Sequence, residues 1–255
     1  MFVIRVQLDA VETRKLLEEA PAAHRVTVNE LLLTALAKTL YEWTGSTSLL
    51  IDMEGHGREE ISPGFDGSRT VGWFTTIFPV VLDQSNGSLS EVLRRVKEQV
   101  RSIPNHGLGY GVLRYLSNDA TRRHLESLPR AQLLFNYLGQ FDRPWRSPWL
   151  SAAPESAGPL RSPGNHRPYL IEVSGAVHEG RLLMEWSYSE HLHRRETVEA
   201  LGQNFLSFLR ALITRSEQPE VSSVSPADFS AARISQEDFS KLFARISRPA
   251  QGRAQ

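Results

Sequence analysis

The run Ile51-Asp52-Met53-Glu54-Gly55-His56-Gly57-Arg58-Glu59 sets carboxylates, an imidazole and a guanidinium around two glycines at the end of an apolar stretch. Side chains alternate along a strand, so Leu49, Ile51 and Met53 share one face and Leu50, Asp52 and Glu54 the other. Two carboxylates therefore point the same way. Glu54 falls at the strand end, where a side chain can meet a cleft, and Gly55 and Gly57 let a backbone or a substrate approach closely. As pattern this is a candidate acid/base site. It is also, and more often, the pattern of a turn with solvated charges, and spacing alone does not separate the two.

Other clusters carry weaker chemical signals. RTVGWFTTIFP sets aromatic residues beside Thr75 and Thr76, a composition found more often in strand and core packing than in a ligand box. PNHGLGYG carries Gly107, Gly109 and Gly111, but it follows a helix rather than a strand, which weakens a dinucleotide-binding reading and leaves a wide turn. Asn136 and Tyr137 put an amide and a phenol on opposite sides of one strand, where each can simply satisfy a buried partner. His191 and His193, next to Glu190, resemble metal ligands, yet spacing supplies no third or fourth.

These residues need elements to hold them. Residues 2 to 8 alternate as a strand with one wet face. Asp9 and Glu12 have capping-box spacing for a short helix lined by Val11, Leu16, Leu17 and Ala20 and ended by Pro21. Thr27 and Glu30 open a firmer helix, in which Leu31, Ala35, Leu36, Leu40 and Trp43 face inward and Gly45 is the stop. After the strand LLIDMEG comes a loop over 55 to 70. WFTTIFPVVLD is then a strand whose Pro79 marks an edge, a bulge or a bend. Ser88 and Glu91 cap a helix striped by Val92, Val96, Val100 and Ile103. AQLLFNYLG is a further strand, residues 142 to 168 a flexible insertion, and YLIEVSGAV with RLLMEWSYS a hairpin turning at His178-Glu179-Gly180. The last large helix runs from about Glu196 to Thr214. The fold class is therefore α/β, an open mixed sheet covered by helices.

Composition removes several classes of function. The chain has 255 residues, 40% of them hydrophobic and 23% charged, as in an ordinary globular protein of one or two domains. Twenty-nine basic residues balance 29 acidic ones, so the whole-chain field that gathers nucleic acid or an anionic membrane is missing. With 0 cysteines there is no disulfide framework, thiolate metal site or cysteine nucleophile. The opening apolar run is too short for a secretory core of about 7–15 residues or a membrane span of about 20, and the expected location is the cytoplasm.

In order, EGHGRE (54 to 59), RTVGWFT (69 to 75), PNHGLGYG (104 to 111) and FNYLG (135 to 139) resemble the successive signature motifs of epimerization domains of nonribosomal peptide synthetases. The likeness extends from TVNELLLTALAKTL to SPADFSAARISQEDFSKL. Family members are about twice as long and pair two chloramphenicol-acetyltransferase-like lobes across a tunnel. The first lobe carries a His-His-x-x-x-Asp-Gly motif, and the eight histidines here include no adjacent pair. The resemblance is thus to the second lobe alone, over residues 1–224, with 225–255 as a linker or docking tail.

The resemblance implies L-to-D inversion at the α-carbon of an aminoacyl or peptidyl thioester. No cofactor is bound directly, since the substrate rides on a carrier protein's phosphopantetheine arm. Implied partners are that peptidyl carrier protein and the N-terminal lobe or neighbouring synthetase domains, with no nucleic acid and no membrane. Removing the α-hydrogen gives an enolate, and inversion returns a proton on the opposite face, so two acid/base groups flank the substrate. Glu54 matches one of them, and the other is a histidine of the first lobe. Asn136 and Tyr137 match the motif bordering the site, with Tyr137 placed to orient substrate or donate near developing charge. His56, Gly55 and Arg58 shape the loop that presents Glu54, and Trp73 to Thr75 belong to the strand and crossover walling the tunnel. The lobe alone is expected to show little or no epimerization. Competing readings are a carrier-binding or docking module using SQEDFSKLFARI, a fragment of a peptide-bond-forming condensation domain, and a free-standing acyltransferase, for which His56 is the candidate histidine.

Overall fold

Three helices start with the same device. Asp9 with Glu12, Thr27 with Glu30, and Ser88 with Glu91 each form a reciprocal capping box, in which the cap side chain accepts the N3 amide and the N3 glutamate accepts the cap amide. They open α1 (Ala10–Arg14), α3 (Val28–Thr44) and α4 (Leu89–Arg101) in a computed structural model that describes residues 2–59, 64–83, 87–140 and 165–216, with residues 155, 158 and 162. The tail 225–255, with SQEDFSKLFARI, lies outside the described residues, as does most of the 142–168 insertion.

Six strands, β1 (Phe2–Gln7), β2 (Ser48–Gly55), β3 (Thr76–Asp83), β4 (Leu133–Gln140), β5 (Ile171–His178) and β6 (Arg181–Tyr188), form one mixed sheet in the order β1-β6-β5-β4-β2-β3. β2, β4 and β5 run parallel and the other neighbours antiparallel. β3 is the outer strand beside β2, which is where Pro79 belongs because it has no amide to donate to a further neighbour. The β5–β6 hairpin closes on Glu179 and Gly180, both at positive φ.

One sheet face supplies Ile51, Met53, Phe78, Phe135, Val173, Met184 and Trp186 to a continuous core. α3, α4 and α7 (Arg195–Ser216) cover that face with Leu32, Leu36, Val92, Val96, Val198, Leu201 and Phe205. Burying an aliphatic or phenylalanine side chain of this kind contributes about 1.5–3 kcal/mol relative to exposure, so this face fixes which residues are left pointing outward. Glu54, Asp52, Asn136 and Ser174 are among them.

Several local expectations are corrected. Helix continues past Pro21 to His24 through α2 (Ala20–His24), because a π-type stretch over Lys15–Glu19 resets the hydrogen bonding and leaves Pro21 in a first turn, where it needs no amide. Val11 is 58% exposed, and the buried position goes to Thr13, whose hydroxyl accepts the Leu182 amide at 2.9 Å. Trp43 is 42% exposed and lies edge-on to His193. β3 starts at Thr76 rather than Trp73, which is 92% exposed, so Trp73 to Thr75 are loop. The wide turn expected over 104–111 is a short 3-10 turn, Pro104–Gly107, leading into α5 (Leu108–Leu116), and α6 (Asp119–Ser127) follows. Neither α5 nor α6 has a fully buried residue, although Tyr110 of α5 packs against the core.

Candidate functional site

Parallel pairing of β2 with β4 sets Met53 opposite Phe135, and the next residues outward are Glu54 and Asn136. The Asn136 amide Nδ2 donates to Glu54 Oε2 at 2.6 Å, joining two residues 82 positions apart. The carboxylate lines a cavity of about 510 Å³ at the strand ends, along with His56, Glu59, His106 and Tyr137. Glu54 projects from the sheet face opposite the helices and borders the cavity where β2 ends. Asp52, one pleat back on the same face, accepts a 2.8 Å hydrogen bond from the Tyr169 hydroxyl. Burial first, and then the Asp52 hydrogen bond and charge, push the Tyr169 phenol far above its ordinary value.

Beyond Glu54 the backbone turns sharply. Gly57 sits at φ +65°, and a Cβ there would lie 2.7 Å from the Phe74 carbonyl carbon and closer still to its oxygen. Arg58 then ties the loop together. Its Nη1 donates to the carbonyls of Gly67 at 2.6 Å and Thr70 at 2.9 Å, and its guanidinium lies 4.2 Å from the Phe74 ring centroid. His56 Nδ1 accepts the Arg58 amide at 3.0 Å, and His56 Nε2 lies 3.1 Å from Glu59 Oε1. His56 and Arg58 thus shape the loop beside Glu54, with His56 on the cavity and Arg58 behind it.

Tyr137 leaves β4 on the opposite side from Asn136, its ring 3.5 Å from where a Cβ of Gly175 would be. Burial pushes its phenol up, so it remains a protonated donor. A register shift between Tyr137 and Gln140 bends β4 at the cavity. The five residues singled out, Glu54, His56, Arg58, Asn136 and Tyr137, gather at one end of the sheet. Glu59, from the same EGHGRE motif, His106, from PNHGLGYG, and Ile103 join them on the cavity. Tyr169 carried no signal, being 117 positions from Asp52. Among the described residues no group of three or more His, Asp or Glu side chains is placed to hold a metal ion. Among them, too, no helix is long and apolar enough to cross a membrane.

A family model described as "Condensation domain" matches residues 3–235, and the chain belongs to the condensation-domain family. It is 45% identical over 234 residues to chondramide synthase cmdD of Chondromyces crocatus, covering 91% of this chain and 6% of that protein. It is 35% identical over 249 residues to gramicidin S synthase 1 of Brevibacillus brevis, covering 94% of this chain and 23% of that protein. The crystal structure of the epimerization domain from the third module of tyrocidine synthetase B superposes with a TM-score of 0.78 at 32% identity, over 84% of this chain and 48% of that one. The X-domain from teicoplanin biosynthesis gives 0.60 at 20% identity, over 87% and 48%, a likeness of fold alone. The chain spans about half of these solved structures and a minor part of the curated relatives.

Proposed function

We propose that this chain is one lobe of an epimerization domain of a nonribosomal peptide synthetase, acting on an aminoacyl or peptidyl thioester delivered by the phosphopantetheine arm of a carrier protein. The observation that carries the reading is the Glu54 carboxylate held by the Asn136 amide on the wall of the strand-end cavity. Likeness to a solved epimerization domain at TM-score 0.78 and 32% identity supports the epimerizing branch.

Glu54 is the acid/base group on one face of the substrate. Its carboxylate takes the α-proton as the Cα–H bond breaks, the electron pair moves into the thioester as an enolate, and an acid on the opposite face forms the new C–H bond. The reverse direction returns the proton from Glu54. The Asn136 amide holds the carboxylate rotamer, which keeps Glu54 aimed at one face of the substrate in both directions of the reaction. Tyr137, whose phenol burial raises further above its ordinary value, orients the substrate or donates toward developing negative charge. The opposing acid belongs to the HHxxxDG-bearing lobe, so epimerization needs both halves, and residues 225–255 serve as a linker or docking tail.

The test combines this chain with the HHxxxDG-bearing half of an epimerization domain and a carrier charged with an α-deuterated amino acid, and follows loss of deuterium. Exchange should require both halves and fall by about 10²–10⁴ in Glu54→Gln. Full exchange by this chain alone, or unchanged exchange in Glu54→Gln, overturns the reading.

A further inference from the structure

We propose that the cavity beside Glu54 receives the side chain of the residue undergoing inversion and selects large apolar side chains over small or acidic ones. This rests on the acid/base role of Glu54.

The cavity has two unlike walls. Its rim carries the titratable groups, Glu54, His56, Glu59 and His106. Its apolar wall is made of Met53, Phe78, Val100, Ile103 and the Tyr137 ring, and Asn29, Thr75 and Asn136 add uncharged polar side chains to the lining. Met53 is 4% exposed and Phe78 5%, so this wall continues the protein core. A carboxylate side chain placed there would lose its water and share the cavity with the Glu54 and Glu59 carboxylates, and a methyl group would leave most of the space unfilled. About 510 Å³ lies within the range of small-molecule sites and leaves room for an aromatic or branched aliphatic group.

Position links the two walls. Glu54 and Met53 are adjacent and therefore project to opposite faces of β2, and the strand ends one residue later at Gly55. An α-carbon held against Glu54 at this tip can send its side chain past Gly55 onto the Met53 side. Gly55 lines the cavity on this path and has no room for a side chain of its own, since a Cβ there would lie 2.9 Å from Thr76 Oγ1 and 3.3 Å from Phe78 Cε1. Phe78 is held by a second close approach, from Gly107, whose missing Cβ makes room for the ring.

The methionines provide a readout that does not depend on turnover. The chain has 3 of them, and besides Met1 they are Met53 in the cavity and Met184, fully buried in the core. The full chain, labelled with 13C at the methionine methyls, is titrated with the phenylalanyl, leucyl, alanyl and aspartyl amides of aminopantetheine and with pantetheine itself. Saturable shifts of the Met53 signal are expected with the phenylalanyl and leucyl compounds, with Met184 unmoved. Affinity should exceed that of the alanyl compound roughly tenfold or more. Ile103→Trp should fill the cavity and abolish the response while an unchanged Met184 signal reports an intact core. Val100→Ala trims the same wall and should weaken binding severalfold, which keeps the test open if the larger side chain unfolds the chain. Equal responses to all the compounds, a response to pantetheine alone, or a silent Met53 overturns the proposal. A silent Met53 together with Glu54-dependent exchange in the two-half assay removes the side-chain pocket and leaves the acid/base role standing. Selective binding with exchange that survives Glu54→Gln does the reverse.

Discussion

Replacing Gly107 with alanine should destabilise the protein, while the same change at Gly109 or Gly111 should stabilise it, although all three belong to one PNHGLGYG segment. Gly107 has φ +83° and follows Asn105 at +47° and His106 at +49°, three successive left-handed residues. A Cβ at Gly107 would lie 2.5 Å from Phe78 Cδ2 and closer still to Cγ and Cδ1. The ring has little room to retreat, since Gly55 approaches it from another side and it is 5% exposed. A left-handed residue with a Cβ costs about 1–2 kcal/mol and overpacking a core ring about 1–3, for a loss of roughly 2–5 kcal/mol. At about 2–4 °C per kcal/mol for a chain of this size, Tm should fall by about 4–20 °C. At Gly109 and Gly111 nothing lies within 4 Å of the added carbon, and both are inside α5. Alanine there should gain about 0.5–1 kcal/mol from reduced backbone entropy in the unfolded chain. Thermal unfolding followed by far-ultraviolet circular dichroism measures all three. A Gly107→Ala protein melting within about 2 °C of wild type, or three shifts of one sign, would refute the close packing of the turn on Phe78.

Two further outcomes follow from the loop and from the outward sheet face. Arg58→Lys keeps the charge but loses the fork that bonds the carbonyls of Gly67 and Thr70, so amide hydrogen exchange over residues 64–75 should rise about tenfold with little change in global Tm; unchanged protection would show that the guanidinium does not hold the loop. Alkaline titration at 295 nm should show Tyr137, Tyr169 and Tyr188 ionising later than the other tyrosines, because burial raises each phenol and Asp52 raises Tyr169 further. A phenol raised in the folded state contributes stability below its unfolded value of about 10, and that contribution is lost as pH climbs above it. Tyr169→Phe should therefore flatten the alkaline fall in stability, and an identical slope in the two proteins would contradict the half-buried Tyr169–Asp52 pair.

What can be read from residue order divides along physical lines. The three capping boxes are legible because a cap and its N3 partner lie three positions apart, so the whole interaction fits inside the window that reveals it. Strand alternation places Glu54 opposite Met53 for the same reason, since the period of two is local. α5 is masked by Gly109 and Gly111, weak helix formers inside it, and the three glycines of PNHGLGYG look alike when only Gly107 needs a left-handed backbone. Trp73 reads as strand on hydrophobicity, yet at 92% exposure it lies in the loop before β3. Asn136 shows the limit most clearly. Residue order leaves its amide to satisfy some buried partner, and that partner is Glu54 only because β2 and β4 run parallel in the register that pairs Met53 with Phe135. A parallel pair needs a long crossover, and here it includes β3 and α4 through α6, so its register is set by how those elements pack and not by any nearby residue. The chemical identity of the site is therefore visible in short motifs, while the hydrogen bond that aims its carboxylate is a property of the folded sheet. A one-residue slip of β4 against β2 would turn Asn136 to the core face and leave Glu54 beside an apolar side chain.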